Sequence, residues 1–188
     1  MKLDGGYLKT ENPYLDKFRA INGGSYSRDD SISTYARRDK LVQRYAWAVP
    51  NKKAIETIVD HSPIIEIAAG SGYWASLAEQ LGADVDAYDK EPWEDTWTDV
   101  LEGTDAVVDA YPERSLFLCW PPYGAPVADD ALQNYDGMTV IYVGEGKGGC
   151  TGDKDFHKRL EQNWRLEEQV SIPQWWGIHD TLRVYKRM

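Results

Sequence analysis

From Pro63 onward the chain alternates short apolar runs with helical patterns, and the alternation stops abruptly near the end. Strand-like runs at 64–69, 85–88, 116–120 and 139–143 are interleaved with helical periodicity at 73–81, 105–111, 127–135 and 153–164, and a weaker strand is expected within 96–101. Strand–helix repetition of this kind predicts a parallel sheet covered by helices, because each parallel crossover needs a connection of about a dozen residues. The last two runs, 166–172 and 181–186, have only 173–180 between them, too little for a crossover. The final strand must therefore run antiparallel, while the sixth stays parallel to the first five.

Upstream, the pattern differs. Helical spacing runs from about Ser31 to Trp47, and a second short helix is expected at 52–60, stopping before Pro63. The first thirty residues carry Asn22-Gly23-Gly24-Ser25-Tyr26-Ser27, which offers turn chemistry rather than core periodicity and reads as an arm or lid. At 188 residues the whole is one domain, with 1–62 capping the site and 63–188 forming the catalytic part.

The formal charge of -10 argues against a whole-surface grip on nucleic acid, whose affinity comes from clustered Lys and Arg. One local exception is Arg37, Lys40 and Arg44, at helical spacing, which reads either as a solvated helix face or as a phosphate-binding stripe. Cys119 and Cys150 lack the paired spacing of a zinc site or disulfide framework. The amino terminus has no apolar signal core and no run approaches a membrane span, so the expectation is an acidic, soluble, cytoplasmic protein needing no metal.

The first strand leads into Glu66-Ile67-Ala68-Ala69-Gly70-Ser71-Gly72-Tyr73-Trp74. A strand entering a glycine turn and then a helix lets backbone approach a ligand closely. Glu66 near the end of a buried strand is costly unless it meets a cation or hydrogen-bond donors. Asp89, closing the next strand about 20 residues after the turn, suits the two hydroxyls of a ribose. A nicotinamide-dinucleotide oxidoreductase would share these features, but would ordinarily need a substrate domain and has no use for the reversed last strand.

Taken together, Glu66-x-Ala68-x-Gly70-x-Gly72 with Asp89 resembles the first two motifs of the class I S-adenosylmethionine-dependent methyltransferases, with Ala68 replacing the usual first glycine. The resemblance implies a three-layer α/β Rossmann-like sandwich whose seven-stranded sheet is mostly parallel. It implies S-adenosyl-L-methionine as cofactor, with Glu66 near the methionine ammonium, the turn from Ala68 to Gly72 with Tyr73 and Trp74 beside its backbone, and Asp89 with Lys90 at the ribose. Asp105 is either an adenine acceptor or a helix cap. Cys119 closes the fourth strand, and Tyr45 and Trp47 are expected to cap the pocket.

At the same sheet end, Cys119-Trp120-Pro121-Pro122-Tyr123 is similar to the family motif of Asn, Asp or Ser followed by Pro-Pro-Tyr, used by enzymes that methylate amino nitrogens. There the polar residue and a proline carbonyl hold the target amine while the aromatic stacks on it. Here Trp120 occupies the polar position, and an indole is a donor with no acceptor. The resemblance leaves Trp120, Pro121 and Tyr123 at the acceptor, with the Pro121 and Pro122 carbonyls as acceptors and Tyr123 to stack. Glu145 after the fifth strand and His179 after the sixth are expected on the same rim because the parallel strand ends share one side of the sheet, and His179 serves either as a base or as a structural hydrogen bonder. The expected activity is methyl transfer to an unidentified small-molecule, protein or nucleic-acid acceptor, an amino nitrogen of a nucleobase or protein being the candidate that the related motif suggests. A catalytically silent cofactor-binding relative is the competing reading, motivated by Trp120.

Overall fold

The structure, a computed structural model, describes residues 11–22 and 31–188. Most of the glycine- and serine-rich stretch read as an arm, and residues 1–10, lie outside the described residues. Seven strands form one sheet: β1 (Ile64–Ile67), β2 (Val85–Asp89), β3 (Val100–Glu102), β4 (Ser115–Cys119), β5 (Thr139–Gly144), β6 (Trp164–Ser171) and β7 (Thr181–Arg187), in the order β3-β2-β1-β4-β5-β7-β6. The first five pair in parallel, and β7 runs antiparallel to both β5 and β6, as the short 173–180 connection requires. The third strand lies slightly later than expected and is only three residues long.

Alternation along the central strands explains the two-sided core. Ile64, Phe117, Ile141, Leu182 and Val184 face one layer, made by α1 (Pro13–Asn22), α3 (Lys52–Asp60) and α4 (Tyr73–Gln80). Ile65, Ile67, Leu116, Leu118, Val140 and Tyr142 face the other, made by a 3-10 turn at Asp105–Ala110 with α5 (Val127–Asn134) and α6 (Lys154–Asn163). A strand buried on both faces reads as continuous hydrophobicity, which is why 64–67 and 116–119 carry almost no polar residue. Glu66 is the exception, and by the two-residue period it shares the face of Ile64, beneath α4.

One expectation is corrected. Residues 13–22, read as part of a turn-rich arm, form α1, with Tyr14 completely buried and Leu15 and Phe18 nearly so. Pro13 suits a first helical position, where its missing N–H has no intrahelical partner to lose, and Asn12 Oδ1 accepts the Leu15 N–H at 3.0 Å. Three apolar residues in so short a helix make too weak a periodic signal to stand out; tertiary contact supplies the rest. Tyr14 stacks on Tyr45 with centroids 5.0 Å apart, and Tyr73 Oη donates to Asn12 Oδ1 at 2.9 Å. The second helix, α2 (Ser31–Arg44), ends three residues before Trp47. Among the described residues no helix is long and apolar enough to cross a membrane.

Candidate functional site

The chain leaves β1 toward β2 on one side, and β4 lies on the other, so the strand order reverses between β1 and β4. Loops diverge at such a point and leave a crevice beyond the carboxyl ends of the strands. A cavity of about 500 Å³ opens there, within the usual range for small-molecule sites. Its wall includes Glu66, Ala68, Gly70, Tyr73, Trp74, Asp89, Lys90, Asp105, Cys119, Tyr45, Trp47 and Trp120. Every residue expected at a cofactor is therefore on this wall except Gly72.

Gly72 has a different task. It caps α4 with φ of 67°, and a Cβ there would lie 2.8 Å from Val100 Cγ2, so it permits close packing against β3. Gly70 also has positive φ, 56°, but its missing side chain would meet only the Trp93 ring, at 3.7 Å. Ala68 holds φ of 58° without being glycine, a left-handed conformation that costs about 1–2 kcal/mol. The turn is kept in place from outside: Trp97 N–H donates to the Ser71 carbonyl at 2.8 Å, and Ser71 Oγ donates to the Tyr45 carbonyl.

Asp89 is oriented by the same turn. Its Oδ2 accepts the Gly70 N–H at 2.8 Å and its Oδ1 accepts the Glu91 N–H at 2.9 Å, and each oxygen retains capacity for another donor. Thr104 takes the capping role, its hydroxyl accepting the Ala106 N–H, while Asp105 stands on the wall and accepts from Asn134 Nδ2 at 3.1 Å. Glu66 is 1% exposed. Burial, then the nearby charges of Asp89 and Glu79, push its carboxyl up to about 8, partly offset by a hydrogen bond from the Ala75 backbone. Its Oε2 has no partner among the described residues. Burial, with Glu66 and Asp180 adding to it, also pushes the Cys119 thiol well up.

The other end of the cavity is built by Trp47, Trp120, Pro122 and Pro126. Trp120 holds φ of 54°, a strained conformation for a bulky residue, stabilised from three directions. Its N–H donates to the Val143 carbonyl at 2.8 Å, its indole stacks on Trp47 with centroids 4.8 Å apart and planes 8° from parallel, and its Nε1 donates to Asp180 Oδ2 at 2.8 Å. Asp180 is buried, Oδ1 lacks a partner among the described residues, and burial raises its carboxyl to about 6.

The residues expected to be catalytic do not share one cavity. Pro121 is absent from the wall and its carbonyl accepts the Gly152 N–H at 2.9 Å. Tyr123 is half exposed and also off the wall. Glu145 and His179 lie at the same end of the sheet but in a separate depression with Gly146 to Cys150. Glu145 Oε2 accepts the Cys150 N–H at 2.8 Å and Oε1 the His179 N–H at 2.9 Å, which ties the glycine loop to the β6–β7 connection. Burial alone would raise the Glu145 carboxyl, yet the hydrogen bonds from Cys150 and His179 outweigh it and hold it at about 2. All three residues of the basic stripe, Arg37, Lys40 and Arg44, are exposed, and the Arg44 guanidinium lies 4.8 Å over the Trp97 ring.

Sequence reasoning missed Trp93, Pro126 and Asp130 on the wall and Asp180 behind Trp120. Asp130, in the first turn of α5, carried a usable signal because that helix begins at the pocket's end of β4. Asp180 carried none, since sixty residues separate it from Trp120.

No protein-family model and no curated protein matches the chain. Among solved structures, the chain is similar to magnesium protoporphyrin IX methyltransferase from Synechocystis PCC 6803 with bound S-adenosylmethionine, at TM-score 0.51 and 12% identity, over 93% of this chain and 91% of that one. It is also similar to a structure described by the conversion of a disulfide bond into a thioacetal group during echinomycin biosynthesis, at TM-score 0.50 and 9% identity, over 73% and 82%. At such identities the likeness concerns the fold.

Proposed function

We propose that this chain, which has the fold of the class I S-adenosylmethionine-dependent methyltransferases, binds S-adenosylmethionine in the cavity at the β1–β4 switch point and transfers its methyl group to an acceptor entering beside Trp47 and Trp120. The observation that carries the reading is Glu66 Oε2: a buried carboxyl oxygen on the wall with no partner of its own is satisfied by a cationic ligand group. The residues present fit the cofactor. Glu66 suits the amino-acid ammonium, the oriented Asp89 carboxylate suits the ribose hydroxyls, and Asp105 suits an adenine amino group. The bound cofactor supplies an activated methyl on a sulfonium, so the work left to this chain is to orient the acceptor and exclude water.

For the acceptor, the geometry supports recognition by shape and stacking. The amine clamp of the related motif lacks its side-chain half, since Trp120 offers only a donor, already given to Asp180, and its other half is shared, since the Pro121 carbonyl already accepts the Gly152 N–H. An exocyclic amine held through that motif is accordingly the weaker choice among acceptors. The same two engagements favour a second reading, a cofactor-binding relative that transfers nothing.

Calorimetry with S-adenosylmethionine and with NAD tests the cofactor, and only the former is expected to bind. Methyl-labelled cofactor incubated with nucleic acids, proteins and cell metabolites then separates the two readings. Binding with no labelled product in any fraction supports the silent relative.

A further inference from the structure

Ion pairs are plentiful away from the cavity. Arg114 meets Asp84 and Asp86 at 3.0 Å each, Arg159 meets Asp129 at 2.6 Å, and Lys147 meets Glu161 at 2.7 Å. The four carboxylates on the cavity wall, Glu66, Asp89, Asp105 and Asp130, are treated otherwise. Asp89 receives backbone N–H groups, Asp105 the Asn134 amide, and Asp130 the Gln133 amide at 3.5 Å, all neutral donors. Lys90 is the one ammonium or guanidinium group among the described wall residues. Arg159, which is off the wall, is hydrogen-bonded to Asp129, and its charge only partly offsets the acids around Asp130. The crowding shows at Asp130, whose carboxyl is pushed up by burial and by the charges of Asp105, Asp129 and Asp153.

An acidic wall alone identifies no ligand. The second observation is Glu66 Oε2, inside the molecule, on that wall and unpartnered. In the ligand-free protein burial keeps the Glu66 proton in place near neutrality, and Glu66 becomes a carboxylate as a cation enters. Asp89, Asp105 and Asp130 against the one ammonium of Lys90 already leave an excess of negative charge facing a common space, and fields from like charges are focused in a cleft with low-dielectric walls.

Resting on the function proposed above, we infer that Glu66, Asp89, Asp105 and Asp130 make the cavity charge-selective: it holds the sulfonium form of the cofactor in preference to the neutral thioether left after transfer. In the transfer, a lone pair of the acceptor forms the new bond to the methyl carbon, the carbon–sulfur bonding pair stays on sulfur, and the acceptor's proton goes to solvent. The sulfur thereby loses its positive charge while the ammonium and carboxylate of the amino-acid part are unchanged. A wall with excess negative charge distinguishes the two by that single charge, so the product is released rather than retained.

The test is calorimetry on the full chain with three probes: S-adenosylmethionine, S-adenosylhomocysteine, and sinefungin, which carries a protonatable amine in place of the sulfonium. At low ionic strength the two cationic ligands should bind at least ~tenfold more tightly than the homocysteine compound, and the ratio should fall toward unity in about 1 M salt, where the screening length is about 3 Å. Asp105→Asn and Asp130→Asn should each shrink the low-salt ratio roughly two- to fivefold, mainly by weakening the cationic ligands; should either variant fail to fold, the salt series on the unaltered chain decides. Equal or tighter binding of the homocysteine compound at low salt overturns charge selection while leaving the cofactor assignment standing. A ratio unmoved by salt also overturns it. Failure of all three to bind overturns both.

Discussion

The two ends of the cavity are assembled in different ways. At the β1–β2 end, most of the wall comes from one segment, Glu66 to Trp74 without Gly72, closed by Asp89 through a direct hydrogen bond to Gly70 and braced at Ser71 by Trp97 and Tyr45. At the β4 end, the Trp120–Pro122 stretch is held by groups distant in the chain: Asp180 on the Trp120 indole, Gly152 on the Pro121 carbonyl, Trp47 on the Trp120 face. Backbone conformation makes the same contrast. Ala68 and Trp120 both leave their strands with positive φ, but Ala68 turns into a glycine loop whereas Trp120 depends on three long-range contacts. A locally encoded end tolerates little change in its own residues, and a tertiary-encoded end tolerates little change in its surroundings.

The contrast can be tested first where the expected effect is largest. In the ligand-free protein Glu66 binds its proton more tightly than in the unfolded chain, so between about 4.5 and 8 the native state holds the extra proton and stability falls as pH rises. Glu66→Gln should remove most of that decline, on the order of a few kcal/mol across the window, measured by chemical denaturation at several pH values. A parallel decline in the variant would show that Glu66 is not the group responsible. Asp180, raised to about 6, adds a smaller loss of the same sign near the lower end of the window.

Next in size, Asp89→Ala should weaken S-adenosylmethionine binding about 100-fold, since it removes a charged acceptor, about 1.5–3 kcal/mol, and leaves the Gly70 N–H unpartnered. Undiminished affinity in calorimetry would break the distinction between the two ends. Glu145→Ala should cost roughly 1–3 kcal/mol of stability by orphaning the Cys150 and His179 N–H groups, with cofactor affinity unchanged. Its carboxyl is held at about 2, so its contribution is present above the unfolded value and is lost as pH falls through about 2. Smallest of all, Tyr123→Ala should leave melting and cofactor binding within about 0.5 kcal/mol, as expected for a half-exposed side chain off the wall. A marked loss of cofactor affinity would instead extend the first end of the cavity across β4.

Legibility follows the same division. The β1 turn could be read because its elements are adjacent: a buried strand, a carboxylate within it, then glycines at the spacing a sharp turn requires. The final antiparallel strand was equally readable, since a short connection excludes a crossover by length alone. Helix α1 was not, because its apolar residues are too few to make a period, and its burial depends on Tyr45 and Tyr73. Glu145 and His179 were expected on the same rim as Trp120 because strand ends share one side of the sheet; the sheet end is shared, yet the two residues fill a neighbouring depression.

By itself the sequence determined the sheet with its reversed last strand and the glycine turn with Glu66 and Asp89, because periodicity, connection length and turn chemistry act over a few residues. Only the tertiary structure decided what Trp120 does. Its partners Trp47 and Asp180 lie far away in the chain. Asp180 comes to it because β4, β5 and β7 lie side by side in the sheet, carrying the segments after β4 and before β7 to the same end, and Trp47 comes with the α2–α3 connection, whose Ala48 and Val49 are buried in the core layer of α3 and α4. The unpaired carboxylates of the wall were likewise decided by packing, since a charge count says how many acids there are but not which of them are left without a cation.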